Sequence, residues 1–353
     1  MQFVTDLVLQ PKEKPVAGKP LPFGRTFTDH MLVMRWTSTS GWGPCHLQPH
    51  QHISISPAAC GVHYAQTAFD GFKAFPGSDG RVRIFRFYEH LKRFRKSAAR
   101  LRLPCPEIHD LATAILEYIK IESSWALPEP GCSLYIRPLL LGTEPYLGID
   151  PGNECLLIVI ASPIMSLYGQ NGLRIKVETE HVRASEGGLG EVKAGANYAA
   201  AIDATAIAKE DGYGQVLWTD RTHQFCGEMG SMNLFAVIGD TVVTPELDGT
   251  ILPGQTRETA IVLLREAGWK VEERRLTVDE LFEAYSQGRL HSLFGTGTAA
   301  TICAVTELVR GSDQAFIPTS AEHAVPRLLL DRYHSIQRAP DSDPHDWMTI
   351  VPL

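Results

Sequence analysis

Two amphipathic helix patterns followed by two long apolar segments place the strongest constraint on how this chain of 353 residues can fold. Residues 89–101 and 108–121 repeat apolar side chains at helical spacing, whereas residues 132–141 and 155–161 are apolar strand-like runs. A helix that is apolar along one face must bury that face against another element. The pattern therefore predicts a compact α+β unit in the first half of the chain.

The second half alternates strands and helices after a Gly/Pro/Ser-containing stretch, which we interpret as an interdomain connection at residues 166–172. We predict an N-terminal α+β domain at 1–165, with an extended arm at 10–22, and a C-terminal domain at 173–353. The C-terminal elements predicted from periodicity are a strand at 173–183, a helix at about 197–209, strands at 215–219, 233–238 and 241–244, and helices at about 256–267 and 278–286. The sequence leaves open whether the acidic tail after Thr319 is ordered.

Composition favours small-molecule chemistry. Thirty-three Lys and Arg against 40 Asp and Glu give a net charge of −7, without a basic run that could follow a nucleic-acid backbone. The longest apolar stretch, near Cys155–Ala161, is too short to span a membrane, and the N-terminus lacks a secretory signal pattern, so we expect a cytoplasmic protein. The seven cysteines are scattered, which favours reduced thiols and gives no metal-site spacing.

Lys193 follows Gly-Gly-Leu-Gly at 187–190 and precedes an Ala-rich helical run. A lysine that is partly buried beside other cations loses its proton more easily, and only the neutral amine can attack an aldehyde such as that of pyridoxal phosphate (PLP). A lone lysine in a loop is usually solvated, so the neighbouring motifs must decide between these interpretations.

Glu228 lies at the entrance to an apolar strand, in Gly227-Glu228-Met229-Gly230-Ser231-Met232-Asn233. A carboxylate beside the pyridine nitrogen of PLP keeps that nitrogen protonated, which makes the ring an electron sink. The alternative interpretation is a surface carboxylate in a turn.

Two further segments are suited to binding an anion. Residues 252–257 (Leu-Pro-Gly-Gln-Thr-Arg) predict a tight turn that opens a helix, and residues 294–300 (Phe-Gly-Thr-Gly-Thr-Ala-Ala) predict a loop with accessible backbone N–H groups. Arg93, in the helix at 89–101, could add a bidentate cation, although an exposed helical arginine is the commoner case.

Taken in order, these motifs resemble the branched-chain amino acid aminotransferases, which are fold-type IV PLP enzymes. The resemblance covers nearly the whole chain. It rests on the segments Phe23–Met31, His63-Tyr64, Ala68–Gly71, Tyr135–Pro138, Gly142–Pro145, Lys193–Tyr198, Glu228–Phe235, Leu252–Gly254 and Gly297–Ala299. It implies a two-domain α+β fold with a barrel-like sheet in the larger C-terminal domain, PLP at the domain interface, and a homodimer.

The resemblance also implies roles for individual residues. Lys193 would bind PLP covalently and act as the catalytic base and acid, Glu228 would pair with the pyridine nitrogen, and Tyr198 would hydrogen-bond the phenolic oxygen. The phosphate ligands would be Arg93, Gln255, Thr256 and Thr298. The substrate-binding residues would be Phe23, Tyr64, Phe69, Tyr135, Arg137, Ile149, Ser231, Thr298 and Ala299. The aromatic and aliphatic members favour leucine, isoleucine or valine, and Arg137 would bind the side-chain carboxylate of glutamate or 2-oxoglutarate.

The chain departs from the family pattern at two motif positions. The usual Phe-Glu-Gly reads Phe69-Asp70-Gly71, and Gly-Gly-Asn-Tyr reads Gly195-Ala196-Asn197-Tyr198. Where some relatives carry a redox-sensing Cys-x-x-Cys, this chain has Ala300–Cys303, so we expect no such switch. The alternatives are a D-amino acid transaminase, an aminodeoxychorismate lyase, a PLP-binding protein without turnover, and a lyase that uses Lys193 without a cofactor. The preferred substrate and the metabolic direction stay open.

Overall fold

The computed structural model describes residues 1–16, 19, 21–129, 131–165, 172–317, 325–339 and 343–352. The chain forms two compact units. Unit 1 comprises Met1–Leu167, Val192–Ala196 and Ser335–Leu353, and unit 2 comprises Tyr168–Glu191 and Asn197–His334. Lys193 thus groups with the first half of the chain. The domain boundaries stay a prediction, and residues 166–171 of the expected connection lie outside the described residues.

Unit 1 is built on one large sheet, to which ten strands belong among the described residues. In spatial order the main path is β1 (Phe3–Thr5), β4 (Cys45–Pro49), β2 (His30–Thr37), β9 (Glu154–Ile164), β8 (Ser133–Gly142), β6 (Phe72–Pro76), β7 (Val82–Phe85) and β19 (Met348–Ile350). β3 (Gly41–Trp42) pairs with β2, and β5 (Thr67–Phe69) pairs with β8. The two predicted apolar segments are thus the adjacent strands β8 and β9 at the centre of the sheet.

The helices of unit 1 cover one face of this sheet. α2 (Phe87–Arg100) and α3 (Ile108–Glu122) follow the predicted ranges closely, and α1 (Cys60–His63) and a 3-10 helix (Ser123–Trp125) are short. The apolar side of α2 and α3 is buried with alternate residues of β8. That core includes Leu91, Phe94, Leu111, Ile115, Leu134 and Ile136. The predicted helical faces are therefore confirmed.

The opposite face of the sheet carries several of the predicted site residues. Because side chains alternate along a strand, Tyr135, Arg137 and Leu139 point away from the face that α2 and α3 cover. In the antiparallel register Phe69 pairs with Leu139 and Lys73 pairs with Tyr135. Directly paired residues project from the same side. Phe69 and Lys73 therefore share a face with Tyr135 and Arg137, and we call it the site face.

Unit 2 contains a closed, barrel-like sheet. Six strands of its described part form the ring: β12 (Cys226–Met229), β11 (Gln215–Thr219), β10 (Leu173–Val177), β17 (Thr301–Arg310), β16 (Leu290–Gly297) and β13 (Met232–Ile238). Pairing of β12 with β13 closes the ring. β14 (Thr241–Thr244), β15 (Lys270–Glu273) and β18 (Asp313–Phe316) extend the sheet, and the helices that follow Lys193 in the chain are α4 (Gly195–Ala200), α5 (Ile202–Glu210), α6 (Gln255–Glu266), α7 (Val278–Ser286) and α8 (Val325–Arg338). The expected barrel-like sheet is confirmed.

Three predicted elements of the second half are wrong in extent. The strand at 173–183 ends at Val177, because the carboxylate of Glu178 accepts the backbone N–H groups of Glu180 and His181 and turns the chain. The helix at 197–209 is two helices that meet at Ala201. The glycine/threonine loop at 294–300 is mostly strand, since β16 continues to Gly297 and pairs with β13 and β17.

The residues after Thr319 include ordered structure. Within the described part of this tail, α8 is followed by β19, which pairs antiparallel with β7. The carboxylate of Asp343 accepts the N–H of Met348 at 2.8 Å, immediately before that pairing. Across the described ranges, no helix is both long and apolar enough to cross a membrane.

Candidate active site

Lys193 lies beside an aromatic and arginine cluster on the site face of unit 1. Its Nζ is 5.0 Å from the ring centroid of Phe69, and the guanidinium carbon of Arg137 is 4.6 Å from the same centroid. The ring of Phe23 contacts that of Tyr135 edge-on, with centroids 5.0 Å apart. Arg137 joins Phe69 to the Phe23–Tyr135 pair, because it lies over the Phe69 ring and its Nη2 donates to the Tyr135 hydroxyl at 3.0 Å. The structure thus brings together five residues that the sequence predicts for the site.

One N–H donor of Arg137 has no acceptor among the described residues of the chain. The side chain is half-buried, and this donor, Nε, is itself buried. An unsatisfied buried donor costs free energy unless a ligand or water accepts from it. A carboxylate that approached Arg137 from the site face would supply that acceptor.

Gly71 explains one part of the Phe-Asp-Gly motif. A Cβ built on Gly71 would lie 1.8 Å from the hydroxyl oxygen of Tyr135. A side chain at this position would displace the tyrosine that bonds Arg137. Position 71 therefore requires glycine, because the backbone there lies directly against the Tyr135 side chain.

Arg93 lies at the centre of a fully buried ion-pair network. Its Nε and Nη2 donate to the two carboxylate oxygens of Asp70 at 2.9 and 2.7 Å, and His90 Nδ1 is 2.9 Å from Asp70 Oδ1. Burial alone would raise the pKa of Asp70, but the charge of Arg93 and the bonds from His90 and Arg93 keep that pKa well below its usual range. Burial lowers the pKa of His90, which favours a neutral imidazole. Asp70 therefore fixes the orientation of the Arg93 guanidinium.

Tyr64 and Ile149 lie outside the cluster around Lys193. Tyr64 is 44% exposed and donates its hydroxyl to the carbonyl of Leu147 at 2.6 Å, and Ile149 is 88% exposed. Both belong to an exposed apolar group on unit 1, the α1–loop patch, formed by Val62, Tyr64, Tyr146, Leu147 and Ile149. Within this chain, these two predicted substrate-binding residues face solvent.

In unit 2, the carboxylate of Glu228 is buried and bonded on both oxygens. The side chain has only 4% of its surface exposed, on β12. Oε1 accepts the backbone N–H of Leu252 at 2.7 Å, and Oε2 lies 3.2 Å from Nε of Arg183. Glu228 is therefore a fixed, charge-paired carboxylate rather than a solvated one in a surface turn.

A cavity of about 610 Å³ in unit 2 is lined by three of the predicted residues, Tyr198, Glu228 and Ser231. Arg183, Asn197, Gln215 and Trp218 also line it. Ser231 is exposed in the turn between β12 and β13, and Tyr198 is half-buried on α4. The cavity therefore combines a phenol, a buried carboxylate and a hydroxyl, which are groups able to bind a polar aromatic ligand.

The remaining predicted anion ligands lie at two turns of unit 2. α6 begins at Gln255, after Gly254, which provides no side-chain cap, and Gln255 and Thr256 are buried. Thr298 and Ala299 form the turn between β16 and β17. Asn233 lies next to both turns: it pairs with Thr296 in the sheet, and its amide donates to the carbonyl of Leu252 at 2.9 Å.

The comparisons with known proteins agree with this geometry. Residues 67–308 match the family described as amino-transferase class IV. The chain belongs to the class IV aminotransferases. It is 41% identical to a "probable branched-chain-amino-acid aminotransferase" of Staphylococcus aureus, over 97% of this chain and 96% of that protein. It is also 38% identical to "branched-chain-amino-acid aminotransferase 2" of Bacillus subtilis, over 98% and 96%.

The solved structures place this class IV aminotransferase in fold type IV. One of them is the T.th. "branched-chain amino acid aminotransferase complexed with N-(5'-phosphopyridoxyl)-L-glutamate". Its TM-score is 0.71 at 26% identity, over 90% of this chain and 98% of that one. The chain is therefore a PLP-dependent transaminase, and the expected α+β fold type IV, enzyme class and cofactor are confirmed. The placement of PLP at the domain interface stays a prediction.

The unit 2 residues fit the phosphate of PLP on evidence from the structure itself. Thr296 Oγ1, on β16 two residues before Thr298, is buried without a hydrogen-bond partner among the described residues, and its hydroxyl can donate to an anion. A Cβ on Gly254 would lie 2.0 Å from Asn233 Oδ1, so the backbone approaches that side chain closely. The N-terminus of α6 adds a positive partial charge. These features suit a phosphate whose oxygens accept hydrogen bonds from backbone N–H groups.

Sequence reasoning missed several residues that contact predicted site residues. Arg183 pairs with Glu228, Asp70 with Arg93, and Ser97 with the backbone of Lys193. Arg183 falls in the segment misinterpreted as strand, so no local pattern marks it. Asp70 could have been found, because it is one of the two motif positions where the chain departs from the family pattern.

Proposed function

We propose that this transaminase transfers the amino group of leucine, isoleucine or valine to 2-oxoglutarate, and the reverse, in a ping-pong reaction. The printed names of the relatives at 38% and 41% identity support the branched-chain assignment. The observation that carries it is the cluster of Phe23, Tyr135, Arg137 and Phe69 next to Lys193. It combines aromatic rings with the guanidinium of Arg137.

We assign the cofactor ligands as the sequence predicts them. The residues that would bind PLP are Lys193, Arg93, Tyr198, Glu228, Gln255, Thr256 and Thr298. When bound, PLP supplies an electron sink for the carbanion at the substrate α-carbon. Glu228, which Arg183 and Leu252 fix in place, would keep a proton on the pyridine nitrogen. Tyr198 would donate its hydroxyl proton to the phenolic oxygen.

Lys193 would act as the base and acid of the reaction. Its amine would take a proton from the α-carbon of the bound substrate and deliver it to C4′ of the cofactor, so its Nζ must reach both carbon atoms from a fixed backbone. The side chain is half-buried and lies over Phe69, which limits access of water to the amine. The anion-binding turn of Thr298-Ala299 would bind the substrate α-carboxylate through backbone N–H groups.

Specificity for two unlike substrates would arise from the two parts of the cluster. The rings of Phe23, Phe69 and Tyr135 would contact a branched aliphatic side chain, where one methylene is worth about 1–3 kcal/mol of discrimination. Arg137 would bind the distal carboxylate of glutamate or 2-oxoglutarate through its unsatisfied Nε. Ser231, in the unit 2 cavity, would contact the substrate as predicted.

We propose that a second copy of the chain covers the α1–loop patch, giving a homodimer. Large exposed apolar side chains that are grouped on α1 and the loop at 146–149 are typical of a contact surface. Tyr64 and Ile149 would then contact substrate in the partner's site, which explains why family resemblance assigns them to a pocket although they are exposed here. The cytoplasmic location stays a prediction from the sequence.

The decisive test compares purified holoenzyme turnover with L-leucine, D-alanine and aminodeoxychorismate. The proposal predicts turnover of L-leucine with 2-oxoglutarate as the acceptor, and little or none with the other two. Reaction with only the other two would contradict the branched-chain assignment in favour of another fold-type IV activity. Absence of turnover with all three, in a protein that binds PLP, would favour a carrier.

A further inference from the structure

Hydrogen bonds fix the backbone of Lys193 at both its N–H and its carbonyl group. Its N–H donates to Ser97 Oγ at 2.9 Å, and its carbonyl accepts from the N–H of Phe69 at 3.0 Å. The next residue, Ala194, forms an antiparallel bridge with Ala68. The Lys193 side chain has four rotatable bonds, so its reach is defined only if the backbone below it does not move.

Ser97 is the one contact in this set that comes from a helix side chain. It lies on α2, is completely buried, and donates its hydroxyl proton to the carbonyl of Arg93 one turn earlier, at 3.0 Å. Because that bond uses the only proton of the hydroxyl, the oxygen is left as an acceptor for the N–H of Lys193. The orientation of Ser97 is therefore set by its own helix.

These contacts complete a closed ring of residues. Arg93 is bonded to Asp70, Asp70 follows Phe69 in the chain, Phe69 is bonded to Lys193, Lys193 to Ser97, and Ser97 returns to Arg93. Every link in the ring is either a covalent bond or a hydrogen bond of 3.0 Å or less. The ring joins the predicted phosphate cation to the predicted catalytic amine within unit 1.

We propose that Ser97 is a positioning residue that sets the spacing between Arg93 and Lys193. It acts through the Lys193 backbone and is not in contact with the reacting atoms. The geometric part of this inference stands on the ring alone, whereas its effect on turnover rests on the proposed function. A displacement of about 1 Å at a reacting group can reduce a rate by about a hundredfold, so loss of one link should be measurable.

The competing explanation is that Ser97 contributes only to the stability of α2. Thr113 on α3 provides a matched control, because its hydroxyl makes the same bond to the carbonyl four residues earlier, His109, at 2.9 Å. Thr113→Ala removes that helix bond without touching a predicted site residue. Ser97→Ala removes the same kind of bond together with the acceptor for Lys193. Ser97→Thr keeps the hydroxyl.

The experiment measures three properties of each purified variant. They are the rate at which apoenzyme takes up PLP, the pKa of the visible absorbance change of the holoenzyme on pH titration, and kcat and KM for L-leucine. For Ser97→Ala we expect roughly a tenfold or greater loss in kcat, slower PLP uptake, and a shift of about half a unit or more in the absorbance pKa. The kcat and PLP uptake rate of Ser97→Thr should stay within about threefold of the values for the original chain. Thr113→Ala should have the same values as the original chain.

Unchanged uptake, absorbance pKa and kcat in folded Ser97→Ala would overturn the inference. Equal losses in Ser97→Ala and Thr113→Ala would also overturn it, because they would show a stability effect common to both helices. If Ser97→Ala does not fold, Ser97→Thr decides, since a folded variant that keeps the hydroxyl but loses turnover contradicts the assigned role. The absorbance titration does not use a substrate, so it tests Ser97 even if L-leucine is not turned over.

Discussion

The guanidinium of Arg93 and the carboxylate of Asp70 form a two-point ion pair that is buried in unit 1, with donor–acceptor distances of 2.9 and 2.7 Å. The family motif that the sequence resembles has a glutamate at this position, and this chain has the shorter aspartate. Asp70 also accepts the N–H of Gly71 and faces His90. The pair therefore links Arg93, the predicted phosphate ligand, to the motif that approaches Tyr135.

Replacement of Asp70 by asparagine should destabilise the protein strongly. It leaves the buried charge of Arg93 without its anion, which typically costs about 3–5 kcal/mol. The lowered pKa of Asp70 stabilises the fold above the unfolded-state pKa of about 4, and this contribution is lost as the pH falls below that value. Urea unfolding at pH 7 and pH 3.5 provides the measurement. The difference in free energy of unfolding between the original chain and Asp70→Asn should be smaller at pH 3.5.

The control for Asp70→Asn is Glu107→Gln, which removes the charge of a carboxylate that is 75% exposed and paired with Arg95. Exposed pairs of this kind contribute little, so the control should change the free energy of unfolding by less than about 1 kcal/mol. An Asp70→Asn protein as stable as the original would contradict the account.

Replacement of Arg137 by methionine should separate the two half-reactions. The variant loses the cation for the distal carboxylate but keeps the apolar contacts with Phe69 and Tyr135. We expect the KM for 2-oxoglutarate to rise by about tenfold or more, with a change of less than about threefold for L-leucine in single-turnover measurements. Equal losses for both substrates would show that Arg137 acts on the cofactor or the fold instead.

Lys73 should make stability depend on pH above neutrality. Burial lowers its pKa from 10.5 to about 7, so at pH values between these two the unfolded chain binds a proton that the folded chain does not. The free energy of unfolding therefore rises with pH across this window, by at most about 5 kcal/mol from this group.

We expect Lys73→Met to be more stable than the original chain at pH 7, because methionine fills similar space without a charge. The advantage should disappear above about pH 10.5, where the lysine is neutral in both states. Denaturant unfolding of the holoenzymes across this range provides the measurement. A constant difference at all pH values would contradict a titrating lysine at this position.

Replacement of Ile149 by aspartate should weaken the proposed homodimer without unfolding the chain. Ile149 is 88% exposed in the α1–loop patch, so the charge costs little until a second copy covers it. Sedimentation velocity over a range of concentrations should show that the variant dissociates into monomers at a concentration at least about tenfold higher than the original chain does. Leu9→Asp, at a residue 99% exposed outside the patch, is the control. Unchanged association of Ile149→Asp would exclude the patch as the interface.

Local patterns predicted much of the fold because the relevant interactions are local. The spacing of Leu91, Phe94 and Ala98 predicted α2, and the apolar runs predicted β8 and β9. The strand at 173–183 failed because a single side chain, Glu178, competes for backbone N–H groups, and periodicity does not include such bonds. The closure of the barrel by β12 and β13, and the order of strands in unit 1, depend on pairings between distant segments.

The candidate site was predictable to the extent that motifs specify residue types. Lys193, Phe69, Tyr135 and Arg137 were named from their motifs, and the structure places them in contact. Their supporting partners could not be named, because Ser97 accepts the backbone N–H of Lys193 and Arg183 pairs with Glu228 only through contacts between residues far apart in the sequence. Their side chains carry no motif of their own.

The most direct test of the account is the location of the covalent bond to PLP. The holoenzyme is reduced with borohydride, digested, and mapped by mass spectrometry. We predict one pyridoxyl label, on Nζ of Lys193, and loss of both the label and amino transfer in Lys193→Ala. A label on another lysine such as Lys73, or amino transfer that survives Lys193→Ala, would contradict the central claim.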